Sequence, residues 1–255
     1  MEQTTPSSRA QTLPMRRPRW LQVYGLVTVA LLAVGLYLAL VVSPPDVQQG
    51  NLIRIMYAHV SVAWVCFLAV ALSAFFGALY LWRGGSMNDI ISVASAESAL
   101  FFSALTLLGG MIYSRPTLNT WWAWDAKLTA TALLFFMLVG YFIARGLIDN
   151  PERRGRVAAI IAIITLADVP IIYFASDWWR TLHPSKSIRL DGAPITMDPT
   201  MLQVLLFNVA VGALIYGYFM IERVRLGRLE AGLQQQHDQR EESRDMLPEG
   251  QVVHV

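Results

Sequence analysis

Six long apolar runs decide what this chain can become. They cover residues 21–42, 56–82, 90–113, 128–144, 157–175 and 201–221. A helix needs about 20 mostly apolar residues to cross the hydrocarbon core of a bilayer. Main-chain groups in lipid must pair within their own segment, so a spanning segment is a helix unless it belongs to a closed barrel. A barrel needs short alternating strands, and these runs are continuous. The expected fold is all-α, a polytopic membrane protein with six transmembrane helices. Composition agrees. The chain is 55% hydrophobic and 15% charged, against roughly 25% charged residues in a globular protein. Too few charges remain to cover a water-facing surface, which excludes an ordinary soluble enzyme and a disordered chain. The first run is longer than the apolar part of a signal peptide and leads into Ser43-Pro44-Pro45, so it reads as a retained helix.

The basic residues set the orientation. Of the 20 lysines and arginines only Lys127 and Lys186 are lysines. If the N-terminus is cytoplasmic, 14 of the 20 fall on the cytoplasmic side and 6 on the other, in line with the excess of Lys and Arg in cytoplasmic loops. Both termini are therefore expected in the cytoplasm. Residues 43–55, 114–127 and 176–200 become outer loops. Residues 1–20 form a cytoplasmic tail, 21–221 the membrane domain, and 222–255 a polar cytoplasmic tail, helical to about residue 239. The arginines sit between apolar runs and form no basic domain, so no nucleic-acid partner is expected. The partner on every side is the lipid bilayer. Neither tail holds a phosphate-binding loop, a dinucleotide fingerprint or an HExxH pair. Any energy source must lie in another protein.

The chemistry concentrates on the outer face. His237 and His254 lie in the polar tail and read as solvated. His59 lies in Met56-Tyr57-Ala58-His59, at the outer end of the second helix. His183 lies in Trp178-Trp179-Arg180-Thr181-Leu182-His183, in the third outer loop. Neutral imidazole ligates iron well, and two imidazoles from opposite sides fill the axial positions of a haem. The second outer loop reads Trp121-Trp122-Ala123-Trp124-Asp125-Ala126-Lys127. Three tryptophans in four positions exceed what membrane anchoring needs. Their flat faces suit a flat apolar ligand. Asp125 is placed to cap a short helix or orient a ring N–H. Arg180, Lys127, Arg115 and Arg189 are all candidates for the carboxylates at such a ligand's edge.

Four further residues call for a reading. Glu97 and Asp168 are carboxyls inside apolar spans, where each marks either a helix–helix hydrogen bond or a pathway. Pro170 frees a main-chain carbonyl and is expected to kink the fifth helix. Cys66 lies two turns below His59 and reads as a packed core thiol. It is the sole cysteine, so no CxxCH motif exists to hold haem covalently.

These residues together resemble a known family. Trp121-Trp122-Ala123-Trp124-Asp125 is similar to the WWxWD signature of haem-handling membrane proteins. With His59 in a MYxHV context and His183 after WWRTL, it resembles the haem exporter protein C (CcmC) family of bacterial cytochrome c maturation. The resemblance runs from about residue 20 to residue 221 and includes the six-helix count. It implies a protein of the bacterial inner membrane that binds haem b non-covalently at the periplasmic face. His59 and His183 would be the axial ligands. Trp121, Trp122, Trp124, Asp125, Lys127, Trp178, Trp179 and Arg180 would contact the cofactor. It also implies hand-over to a membrane-anchored periplasmic haem chaperone (CcmE-like). The expected companions are an ATPase subunit and a second membrane subunit (CcmA-like and CcmB-like), and a small single-helix subunit (CcmD-like). Such a chain is a transfer subunit, not an enzyme. Two departures stand out: Ser61-Val62 where the family usually has Pro-Ser, and Pro184 where it usually has Gln.

Two other functions fit the class. A transport subunit with a substrate pathway would use Glu97, Asp168 and Pro170. A b-type cytochrome would need haem sites at two depths, and no histidine lies at the inner side of any span.

Overall fold

A computed structural model describes residues 17–179, 181–183 and 197–245. Among these residues six helices are long and apolar enough to cross a membrane. They are α1 (Arg19–Tyr37), α2 (Arg54–Arg83), α3 (Ser86–Leu118), α4 (Ala126–Leu147), α5 (Pro151–Trp178) and α6 (Pro199–Asp245). The turn Leu38–Val42 extends α1 as a π-helix, closed by Ser43 N–H on the Leu38 carbonyl at 2.9 Å.

The helix ends follow local chemistry. Gly84 and Gly85 both take positive φ, 67° and 88°, a conformation that only glycine adopts without cost. They permit the tight reversal between α2 and α3. Asn119 ends α3 in the left-handed region at φ 55°, a common helix stop. Asn150 accepts from Arg153 N–H at 2.9 Å, with Pro151 at the first helical position, the usual start of a helix.

Several sequence expectations move. α3 runs past residue 113 to Leu118, so the second outer connection shrinks to residues 119–125. α5 stays helical through Pro170 to Trp178. α6 continues to Asp245, past the expected end near residue 239.

Small and hydroxyl-bearing residues let the central helices approach closely, as is usual where no hydrophobic force drives association in lipid. Ser73 and Ser92 donate to each other's main-chain carbonyls at 2.9 Å, and Ser95 donates to Ala69 at 2.8 Å, joining α2 to α3. A Cβ at Gly77 would lie 3.2 Å from the Ala159 main chain of α5. Exposed large apolar side chains such as Leu26 (72%) and Phe136 (65%) lie on the outside of the bundle, as lipid contact requires. The core sits between α2, α3, α4 and α5 around Val65, Ala69, Phe102 and Leu134. α1 lies at the periphery on α6, held by the Tyr24 hydroxyl on the Leu214 carbonyl at 2.7 Å. Alternating helix directions put the connections after α1, α3 and α5 at one end of the bundle, where both histidines lie.

Candidate functional site

His59 stands in the second turn of α2, and His183 in the turn that follows α5. Their ring centres are 6.4 Å apart, with planes inclined by 38°. A metal-bound imidazole nitrogen sits about 2 Å from the metal and its ring centre roughly 1 Å further, so two imidazoles trans on one ion have centres about 6 Å apart. The observed spacing fits a shared ion. Among the described residues no group of three or more His, Cys, Asp or Glu side chains could hold a metal. Two imidazoles alone suit an ion whose other positions a macrocycle fills.

Both histidines line a cavity of about 560 Å³ enclosed by α2, α3, α4 and α5, within the size range of small-molecule sites. Gln48, Gln49, Trp122, Lys127 and Leu182 lie around its upper part. Phe67, Cys66, Leu134 and Ile172 lie at its deep end. One wall carries Trp64 edge-on to Tyr173, with ring centres 6.1 Å apart.

The connections after α1, α3 and α5 are tied to this cavity. Asp46 accepts from Gln48 and Gln49 N–H, both at 2.8 Å. That turn presents Gln49 to the Tyr113 hydroxyl of α3. Asp125 uses both carboxylate oxygens. Oδ1 caps α4 by accepting from Leu128 N–H at 2.8 Å, and Oδ2 accepts from Leu182 N–H at 3.2 Å. The capping role expected for Asp125 is present, and the same side chain also holds the residue next to His183. Thr181 Oγ1 accepts from His183 N–H at 3.2 Å within that turn. Lys127 Nζ donates to Ser176 Oγ at 3.2 Å.

Two buried polar atoms of cavity residues have no hydrogen-bond partner: Trp122 Nε1 and Ser114 Oγ. Unpartnered buried polar atoms are rare and call for an explanation. A polar ligand in the cavity would supply one.

The site residues expected from the sequence divide. His59, His183, Trp122, Asp125 and Lys127 line the cavity. Trp121, Trp124, Trp178 and Trp179 do not, and each is at least half exposed. Trp124 packs edge-on against Trp122 at 5.6 Å, and Trp178 stacks on Phe174 at 5.4 Å. Of the candidate cations, Lys127 is at the cavity and Arg115 donates to Asn119. Arg180, Lys186 and Arg189 lie outside the described residues, as do Pro184 and His254. Ser61 leaves α2 unbroken and donates to the Tyr57 carbonyl at 2.6 Å. Cys66 is buried and donates to the Ala99 carbonyl at 3.6 Å.

The sequence reading missed Gly109 and Gly110. A Cβ at Gly109 would lie 3.2 Å from His59 Nδ1, and one at Gly110 would lie 3.3 Å from His59 Cε1. The pair forms the bed on which the imidazole lies. Two adjacent glycines inside a helical run disfavour the helix, and that cost was the available signal.

Comparison with known proteins shows the family. The family model described as heme exporter protein C matches residues 5–239. The chain belongs to the heme exporter protein C family. It is 35% identical over 212 residues to heme exporter protein C of Bradyrhizobium diazoefficiens, covering 82% of this chain and 78% of the relative. The protein of that name from Escherichia coli K12 is 31% identical over 218 residues, covering 82% and 86%. A putative cytochrome c biosynthesis ccmC-like mitochondrial protein of Marchantia polymorpha is 34% identical over 177 residues, covering 69% and 75%. With six apolar helices, this chain is a multi-pass inner-membrane protein of that family.

Proposed function

We propose that this chain binds haem b non-covalently in the cavity between α2, α3, α4 and α5 and passes it on during cytochrome c maturation. The observation that carries the reading is the imidazole pair, 6.4 Å apart on the wall of an apolar cavity of haem-binding size. His59 and His183 supply the two axial nitrogens. Trp122 covers a face of the macrocycle, and Lys127 meets a carboxylate at its edge. Trp121, Trp124, Trp178 and Trp179 form an exposed aromatic rim for haem or for the protein that receives it. The cavity opens on the periplasmic side, and both termini are cytoplasmic. The acceptor is a membrane-anchored periplasmic haem chaperone. ATP hydrolysis belongs to a partner ATPase subunit, assembled with a second membrane subunit and a small single-helix subunit.

Glu97 supports this reading over a transmembrane pathway. It is paired with Arg223, whose Nη2 donates to Oε1 at 2.8 Å, and is not a free group along a channel.

An optical spectrum of the purified protein supplied with haem tests the proposal, with wild type beside His59→Ala and His183→Ala. A low-spin bis-imidazole Soret band, altered in each variant, is the expected result. A protein that stays colourless, or variants with the wild-type spectrum, would refute it.

A further inference from the structure

A second depression lies beneath the cavity. It is a groove of about 440 Å³ between α3 and α4, apolar except for Glu97. α3 contributes Glu97, Leu100, Phe101 and Ala104, and α4 contributes Phe135, Val139 and Phe142. These positions continue the lining of the cavity above. On α3 the series Gly110, Leu107, Ala104, Leu100 steps by three or four residues. On α4 so does the series Thr131, Phe135, Val139, Phe142. Residues so spaced share one helix face. Cavity and groove therefore lie on a single seam.

The seam is the loose side of the site. α3 packs chiefly on α2, and α4 chiefly on α5. At the far end it is closed. Arg145 of α4 donates twice to Asp89 of α3, at 2.8 and 2.9 Å, and the Glu97–Arg223 pair sits between that closure and the cavity. Phe101, one of the groove's lining residues, is more than half exposed. The groove faces sideways, away from the closed end at Arg145 and Asp89, and lies in line with the cavity on the same helix faces.

We propose that the α3–α4 seam is a side door by which haem dissolved in the bilayer reaches the cavity edge-on. This rests on the haem-binding reading above. A flat, largely apolar macrocycle moves from lipid into an apolar slot without exposing its faces to water, so the transfer forfeits none of the free energy of apolar burial. Its carboxylate edge stays near the surface, at the depth of Lys127.

The test uses the full chain in lipid vesicles. Haemin is supplied either dissolved in the vesicle bilayer or on serum albumin in the outer solution. Ala104→Trp and Val139→Trp each fill the groove from one helix and change no cavity-lining residue. The expected result is uptake from the bilayer slowed by at least about tenfold, with the loaded spectrum and uptake from albumin unchanged. Phe135→Ala added to Ala104→Trp restores room opposite and restores the rate. Wild-type uptake from the bilayer in either filled variant overturns the proposal, including the case where a lipid chain or partner helix occupies the groove. Equal slowing from both sources also overturns it. The haem site is judged separately. If His59→Ala leaves the loaded spectrum unchanged, the binding reading fails. If the histidine variants behave as expected while filled seams load normally, only the side door fails.

Discussion

Asp125 gives the sharpest test of how the second ligand is held. Its Oδ1 caps α4 through Leu128, and its Oδ2 holds Leu182, the neighbour of His183. A cap of this kind contributes about 1 kcal/mol. The second bond, partly exposed, contributes about 1 kcal/mol. Asn caps as well as Asp, so Asp125→Asn keeps the first bond, while its amide nitrogen cannot accept from Leu182 N–H. A loss of about 1 kcal/mol lowers the population of correctly placed His183 by about fivefold. The assay is the spin state of the ferric haem complex, read optically and by EPR. Asp125→Asn is expected to add a five-coordinate, high-spin fraction at a wild-type melting temperature. Free imidazole should remove that fraction, as it should in His183→Ala. Asp125→Ala should show the same spectral change plus a lower melting temperature. A low-spin spectrum and wild-type haem retention in Asp125→Asn would refute the positioning argument. The Leu182 contact ties Asp125 to the placement of His183 as well as to the start of α4.

Gly109→Ala and Gly110→Ala place a methyl group 3.2 and 3.3 Å from the His59 ring. Overpacking of about 1 kcal/mol should make haem loss to apomyoglobin about fivefold faster, and an unchanged rate would show the ring has room. Gly77→Val sets a branched side chain against the Ala159 main chain and should destabilise the protein by about 1–3 kcal/mol. Gly140→Ala meets nothing within 4 Å and should leave thermal stability equal or higher. Asp168 is buried with Oδ2 unpartnered, so Asp168→Asn should not lower the melting temperature. A loss of more than about 1 kcal/mol would reveal a carboxylate that is specifically paired.

Much of the fold is legible because lipid enforces it. Six apolar runs of membrane-spanning length leave little freedom in class or helix count. The helix ends were harder, since they depend on local devices. The left-handed Asn119 lets α3 run through Pro116 to Leu118, so part of a predicted loop is helix. α5 runs through Pro170, as the span read from the sequence requires, and ends beyond that span at Trp178. The two histidines were legible because they are polar residues at one membrane face beside a dense aromatic loop. The gap between them was not, because no local pattern encodes the distance from α2 to a turn after α5. Nor does sequence distinguish Trp122, which lines the cavity, from Trp121 and Trp124, which are exposed. All three share one motif, and only the path of the chain between Asn119 and Asp125 separates them. Glu97 resolves into a helix–helix pair with Arg223, while Asp168 keeps its unpartnered oxygen.

The two histidines are anchored by different devices. His59 is fixed by a continuous helix on one side and by the Gly109–Gly110 surface of α3 on the other. His183 lies outside any helix. Among the described residues its turn is held to the neighbouring helices' connections through the Asp125–Leu182 bond and closed on itself through Thr181. Moving His59 requires α2 to shift against α3, to which it is joined by the Ser73–Ser92 and Ser95–Ala69 bonds. On the proposed reading, an acceptor that competes for Asp125 would act on the turn that carries His183. If both imidazoles hold one haem, displacing that turn would remove the His183 ligand while α2 keeps His59 in place.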